Sequence, residues 1–272
     1  MRINRIHSIG SGDFGISYLH KKSSGKTSVN GKDMDIYIKN SGDAMPDVTE
    51  GLVITVKKNL VLFDGYFLAF PEGDPLLSVH SCAEGFFVKV IRPGFISVCQ
   101  SISLWRPIMS SVLTVSDKGS RGEREDRSGP ALIDMLSDIG SIFQNRAIVP
   151  DEKEIIRSKI VEWTEAGSNL ILLTGGTGVS RRDVTPEAVL SLTDRVIPGI
   201  GEAMRSKTAS SKATAFLSRG LAATYRDALI VALPGSERGA KECFAAVAPI
   251  LRHAVETLCG WAGECGESRR HR

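Results

Sequence analysis

Few features of this chain point to a membrane, a disulfide scaffold or a nucleic-acid surface. No apolar run approaches the roughly 18 residues that a spanning helix needs, and no apolar core follows Met1-Arg2-Ile3-Asn4-Arg5, so neither an anchor nor a secretory leader is expected. An excess of one charge sign is missing too. The formal net charge is +3, from 34 Lys and Arg against 31 Asp and Glu, too small to argue for nucleic-acid or membrane partners. Cys82, Cys99, Cys243, Cys259 and Cys265 are an odd, scattered set without a Cys-x-x-Cys pair. That disfavours a disulfide framework or a zinc site and suits a reducing cytoplasm. His7, His20, His80, His253 and His271 show no ligand spacing either. What remains is an ordinary globular composition, 42% apolar and 24% charged, over 272 residues, a length that favours two domains.

The two halves are punctuated differently. Through residue 106 short apolar runs alternate with turn residues: Asp35-Ile36-Tyr37-Ile38-Lys39, Leu52-Val53-Ile54-Thr55-Val56, and Leu60-Val61-Leu62-Phe63 before Asp64-Gly65. Tyr66-Phe67-Leu68-Ala69-Phe70 resumes beyond that pair, which predicts a hairpin. Pro93-Gly94 predicts a second one, between Phe86-Phe87-Val88-Lys89-Val90-Ile91 and Phe95-Ile96-Ser97-Val98. A small β-barrel-like or sandwich domain over 1–106 is the expectation.

After Trp105-Arg106-Pro107, strands alternate with helices. Strands are expected at 111–116, 147–149, 170–173 and 228–233. Helices are expected at 130–139 with Ser128 near the cap, at 152–166 capped by Asp151 with Ile155, Ile156, Ile160 and Trp163 on its apolar stripe, from Pro186 with Thr185 as cap, at 201–207, and from Ser236 to about Cys259. This order implies an α/β fold over 107–260, a three-layer arrangement with a mostly parallel sheet and helices on both faces. The residues beyond, 261–272, read as a disordered basic tail.

In such a sheet, ligands gather at the carboxyl ends of the strands. Those ends deliver Ser116-Asp117-Lys118, Pro150-Asp151, Thr174-Gly175-Gly176-Thr177-Gly178 and Leu233-Pro234-Gly235-Ser236. The glycine segment carries no Gly-Lys-Ser/Thr and no Gly-x-Gly-x-x-Gly, so it is neither a Walker loop nor a dinucleotide fingerprint. Its three glycines still allow backbone N–H groups to approach an anion, and Arg181, Arg182 and Asp183 follow. Phosphate chemistry is the reading.

Seven segments in order resemble the molybdopterin adenylyltransferase family, the MogA/MoaB-like proteins related to the G domain of gephyrin. They are Thr114-Val115-Ser116-Asp117, Asp126-Arg127-Ser128-Gly129-Pro130, Ile148-Val149-Pro150-Asp151-Glu152, Thr174–Gly178 with Arg182-Asp183-Val184-Thr185-Pro186-Glu187, Pro198-Gly199 with Gly201-Glu202-Ala203-Met204-Arg205, Leu217-Ser218-Arg219-Gly220, and Leu233-Pro234-Gly235-Ser236. The resemblance implies transfer of AMP from ATP to the terminal phosphate of molybdopterin, with Mg²⁺ as cofactor, in a homotrimer whose product goes on to a molybdenum-insertion protein. Asp151 and Asp183 match the family's two catalytic aspartates and would seat the metal. Ser116, Asp117, Thr174, Gly175, Gly176, Thr177, Gly178, Arg182, Glu202, Pro234, Gly235 and Ser236 would bind substrate. Glu237-Arg238-Gly239 departs from the lysine and proline often found after the last glycine loop.

Each residue also has a structural explanation. Asp151 as a helix cap, Asp183 as a solvated loop acid, Asp117 as an Asx turn, Ser116 and Ser128 as turn or cap residues, and Glu202 as a partner of Arg205 all stay open, as do Arg181 and Arg182 as surface charges. In the first half, the run Cys82–Ile96 resembles the closing strands of MOSC domains, with Cys99-Gln100 where Gly-Asp is expected. Cys82 reads either as a sulfur-handling thiol or as a buried cysteine. The rival functions are a non-catalytic molybdopterin carrier and an assembly protein whose first domain docks a partner.

Overall fold

The computed structural model describes residues 2–9, 12–21, 26–57, 61–69 and 75–261. Beyond Trp261, which packs against the core of the second unit, the predicted tail, with Cys265 and His271, lies outside these residues, as do Leu60 and Phe70 of the first predicted hairpin. The chain divides into two compact units, Met1–Pro107 and Ile108–Arg272.

Among the described residues the first unit is all β: β1 (Ile3–Ser8), β2 (Gly12–Phe14), β3 (Ile16–Lys21), β4 (Thr27–Val29), β5 (Lys32–Asp33), β6 (Ile36–Asn40), β7 (Leu52–Val56), β8 (Phe67–Ala69), β9 (Pro75–Cys82), β10 (Gly85–Val90), β11 (Gly94–Ser97) and β12 (Ser103–Trp105). One sheet runs β12-β8-β9-β10-β6-β7-β1-β2 and the other β11-β3-β4-β5. They enclose a single core that includes Ile6, Leu19, Ile36, Ile54, Leu77, Val88 and Ile96. Neither predicted hairpin forms. Val61–Phe63 is not a strand, and β8 pairs with β9 and β12 instead. β10 and β11 flank Pro93-Gly94 but enter different sheets, since β11 pairs with β3. Tight hairpins form instead at β4–β5 and at β9–β10, where Cys82 lies opposite Gly85, whose φ of 121° suits glycine. Cys82 is half-buried, and burial pushes its thiol up, away from a reactive thiolate. Ser78 Oγ lies 2.9 Å from His80 Nε2, a juxtaposition suggestive of a nucleophile. The His80 Nδ1 is 4.0 Å from Asp64, beyond hydrogen-bond reach, and Asp64 accepts the Ser81 N–H instead.

The second unit contains β13 (Ile108–Val115), α1 (Asp117–Ser120), α2 (Ser128–Met135), β14 (Ser141–Val149), α3 (Lys153–Glu165), β15 (Leu170–Thr174), α4 (Thr185–Leu190), β16 (Arg195–Val196), α5 (Pro198–Ala209), β17 (Ala222–Tyr225), β18 (Ala228–Leu233) and α6 (Glu237–Leu258). Short 3₁₀ segments occupy Leu136–Ile139 and Ala213–Leu217. The sheet runs β14-β13-β15-β18-β17-β16, parallel through β18 and antiparallel at its last two strands. Residues of β15 and β18 are buried throughout, which is why they read as continuous apolar runs. One face packs Leu132, Met204, Phe244 and Leu251 from α2, α5 and α6; the other packs Ile156, Ile160, Trp163 and Val189 from α3 and α4. No helix among the described residues is long and apolar enough to cross a membrane.

Three local expectations change. Glu152, not Asp151, stands at the N-cap of α3, without a capping side chain, and Ile155 is exposed rather than on the buried stripe. Thr185 is the first residue of α4 and does not cap it; its hydroxyl donates to the Gly175 carbonyl instead. Ser128 does lie next to the cap of α2, as its first residue, and donates to Asp126.

Candidate functional site

The carboxyl ends of the four parallel strands finish level. Val115 pairs with Val149, Thr114 with Thr174, and Thr174 with Leu233, so the loops that follow start side by side. Two concavities open among them, of about 440 and about 730 Å³. Gly176, Asp183, Gly235 and Ser236 line both. Thr177, Gly178 and Pro234 belong to the smaller, whereas Ser116, Asp151, Thr174 and Gly175 belong to the larger. Asp117, Arg182 and Glu202 line neither; Glu202 is exposed on α5, and Arg205 donates to the Ser218 and Gly220 carbonyls rather than pairing with it.

The wall between the concavities is the glycine turn. Gly175 has φ 107° and Gly176 φ 62°. A Cβ at Gly175 would collide with the Val115 carbonyl, and one at Gly176 would collide with Thr185 and stand 2.8 Å from Asp151 Oδ1. Only glycine fits either place. The Gly175 N–H is committed to the Leu233 carbonyl, so it is not the anion donor that the sequence suggests. Among the described residues, no acceptor meets the N–H groups of Gly176, Thr177, Gly178 and Val179. A run of such groups forms an anion-binding concavity. The hydroxyls of Thr174 and Thr177 are also committed, to the Pro234 and Leu233 carbonyls. Ser116 and Ser236 differ. Each hydroxyl oxygen accepts a capping bond, from Gly119 and Gly239, and so keeps its own proton to donate.

The acids are held by a reciprocal clasp. The Asp117 N–H donates to Asp151 Oδ2 at 3.0 Å, and the Asp151 N–H donates to Asp117 Oδ1 at 3.1 Å. Arg182 grips Asp117 with two bonds of 2.7 and 3.0 Å, which holds that carboxyl below the usual range. Burial pushes the Asp151 carboxyl up, and the Asp117 and Asp183 charges push it further. Asp183 accepts the Ser180 N–H through Oδ2. Among the described residues no hydrogen bond reaches Oδ1 of Asp151 or of Asp183.

Sequence reading missed the residues that frame this rim. Arg124 and Arg127 line the larger concavity, Arg127 paired at 2.9 Å with Glu125, which lines it too. Asp126, whose side chain is 1% exposed, gathers Thr114, Ser128, Gly129 and Arg146 around its carboxylate. Arg219 grips the far side of the glycine turn. Asp126 and Arg219 lay inside the quoted segments, but nothing in the chain's order announces their partners.

A family model described as "Probable molybdopterin binding domain" matches residues 111–253. The molybdopterin adenylyltransferase of Helicobacter pylori strain J99 is 36% identical over 152 residues, 55% of this chain and 86% of that protein. The molybdenum cofactor biosynthesis bifunctional protein of Synechococcus elongatus is 39% identical over 153 residues; this chain spans 48% of its length, and the match takes in 56% of this chain. Among solved structures, the molybdopterin biosynthesis enzyme MoaB of Thermus thermophilus shares 42% identity and a TM-score of 0.54, covering 56% of this chain and 97% of its own.

Proposed function

This chain belongs to the molybdopterin-binding domain family through residues 111–253, and from that premise we propose that its second unit is a nucleotidyltransferase that adenylylates molybdopterin with ATP. The observation that carries the reading is the shared wall: two concavities meet at Gly176, Asp183, Gly235 and Ser236. A reaction between two anionic substrates needs two adjoining sites that hold them in line and offset their repulsion.

An oxygen of the molybdopterin phosphate attacks the α-phosphorus of ATP. The bond to the β-phosphate oxygen breaks, and pyrophosphate leaves with that electron pair. The nucleophile is already ionised near neutral pH, so the protein has little proton transfer to perform. Its work is to hold and neutralise: the N–H groups of residues 176–179, which meet no acceptor among the described residues, the Ser116 and Ser236 hydroxyls, and Arg124 all suit phosphate oxygens.

The two acids fit a magnesium ion carried by ATP. Among the described residues both Oδ1 atoms lack a donor, and burial, with the Asp117 and Asp183 charges behind it, pushes the Asp151 carboxyl up, a cost that a bound cation would offset. Among the described residues no group of three or more His, Cys, Asp or Glu gathers for a metal. One or two carboxylates completed by substrate phosphates are the usual arrangement for Mg²⁺. Asp151 and Asp183 would hold the ion, which when bound supplies charge neutralisation on the triphosphate. In the same reading the protein works in the cytoplasm as a homotrimer and passes its product to a molybdenum-insertion protein.

The test supplies molybdopterin, ATP and Mg²⁺ and measures adenylyl-molybdopterin. Asp183→Asn is expected to lower turnover at least about a hundredfold, the scale seen when a charge-stabilising group is lost. Equal turnover by variant and native protein would refute the assignment.

A further inference from the structure

Arg219 holds the glycine turn and lines neither concavity, although its neighbours Ser218 and Gly220 line the smaller one. Its backbone N–H donates to the Thr177 carbonyl at 2.8 Å. Its side chain donates through Nε to the Gly178 carbonyl at 2.7 Å and through Nη2 to the Asp183 carbonyl at 2.6 Å. The remaining nitrogen, Nη1, pairs with the Glu187 carboxylate on α4. One residue therefore ties down both ends of the 178–183 excursion and anchors them to a helix.

Peptide planarity gives this grip a consequence on the opposite side. In a trans peptide the C=O and the following N–H point in opposite directions, and the described chain has no cis bonds. The Thr177 and Gly178 carbonyls turn toward Arg219, so the N–H groups of Gly178 and Val179 turn away from it. Among the described residues neither of those groups has an acceptor, and both residues line the smaller concavity. The Asp183 carbonyl is held by the same guanidinium, and its carboxylate stands at the wall shared by the two concavities.

We propose that Arg219 is a positioning residue for phosphoryl transfer: without touching substrate, it orients the Gly178 and Val179 N–H groups toward a substrate phosphate and holds Asp183 beside them. This rests on the adenylyl-transfer reading. A flat guanidinium spans the Gly178, Asp183 and Glu187 acceptors together, which the compact ammonium of lysine does not.

The full-length protein, Arg219→Ala, Arg219→Lys and Arg226→Ala are compared. Arg226 is an exposed arginine paired with Glu165 and serves as a control for loss of a surface cation. Inorganic pyrophosphate is the probe, titrated calorimetrically, and amide exchange at Gly178 and Val179 is followed with and without it. Both Arg219 variants are expected to bind pyrophosphate about 10- to 100-fold more weakly, the usual effect of losing a residue that orients a binding group. Guanidinium ion at low concentration is expected to recover part of the affinity in Arg219→Ala but not to improve native protein or Arg226→Ala. Pyrophosphate should protect the two amides in native protein and fail to do so in Arg219→Lys. Native-like affinity and protection in Arg219→Lys, or in Arg219→Ala without added guanidinium, would overturn the inference. Native protein that neither binds pyrophosphate nor transfers AMP would instead overturn the reading on which it rests.

Discussion

A single carboxylate, Asp126, joins three elements, β13, α2 and β14. It accepts from Thr114 on β13, from Ser128 and Gly129 on α2, and from Arg146 on β14. Burial pushes its carboxyl up, but the Gly129 N–H, the Thr114 hydroxyl and Arg146 outweigh that and leave it below the ordinary range. Because the folded state favours the ionised form, its contribution is fully present above the unfolded carboxyl's pKa of about 3.9 and disappears as pH falls through the lower folded value. Asp126→Asn should therefore cost about 2 kcal/mol in urea unfolding at pH 7. The gap between variant and native protein should narrow only below about pH 4. A gap that stays constant into that acid range would show that ionisation is not what Asp126 contributes. Sequence reading reached the segment around Asp126 but not its role, because Arg146 arrives only through the pairing of β13 with β14. Glu202 shows the reverse case: it lies in a family segment, yet the turn of α5 leaves it exposed and off both concavities.

At the scale of elements, the junction between β15 and α4 sets the shape of the site. The Thr185 hydroxyl donates at 2.8 Å to the Gly175 carbonyl, and its N–H donates to the Gly176 carbonyl, so the first residue of α4 closes the glycine turn on itself. Thr185→Val keeps the side-chain shape but strands the buried Gly175 carbonyl. A loss of about 1–3 kcal/mol in unfolding free energy is expected from denaturant titration; an unchanged midpoint would show that the turn closes without this bond. Strand and helix types were legible here because each carries its own periodicity or a buried apolar run. Pairing was not. Both predicted hairpins had good turn residues, but β8 and β11 found partners elsewhere, where their apolar faces are covered by a core shared between sheets. The antiparallel strands β16 and β17 escaped prediction because they are short and take their place at the sheet edge from β18.

At the scale of the molecule, each unit has its own core and its own sheets. Every residue invoked in the proposed chemistry lies after Pro107. A fragment comprising residues 108–272 is expected to fold alone and to keep AMP transfer within about threefold of the full chain, as a unit with its own core should. Circular dichroism and the adenylylation assay check this. A folded but inactive fragment would mean that the first unit takes part in the reaction.

The order of residues was enough to establish an α/β second half, the glycine bend and the strand ends that carry the loops around it, because alternation, apolar runs and turn chemistry act over a few neighbours. It could not disclose which donors were already engaged. Gly175, Thr174 and Thr177 turn inward to carbonyls of β18 and its following loop, and Arg219 reaches back about 40 residues to hold the bend. Those commitments depend on which strand lies beside which and at what register, and such facts exist only once the chain has packed.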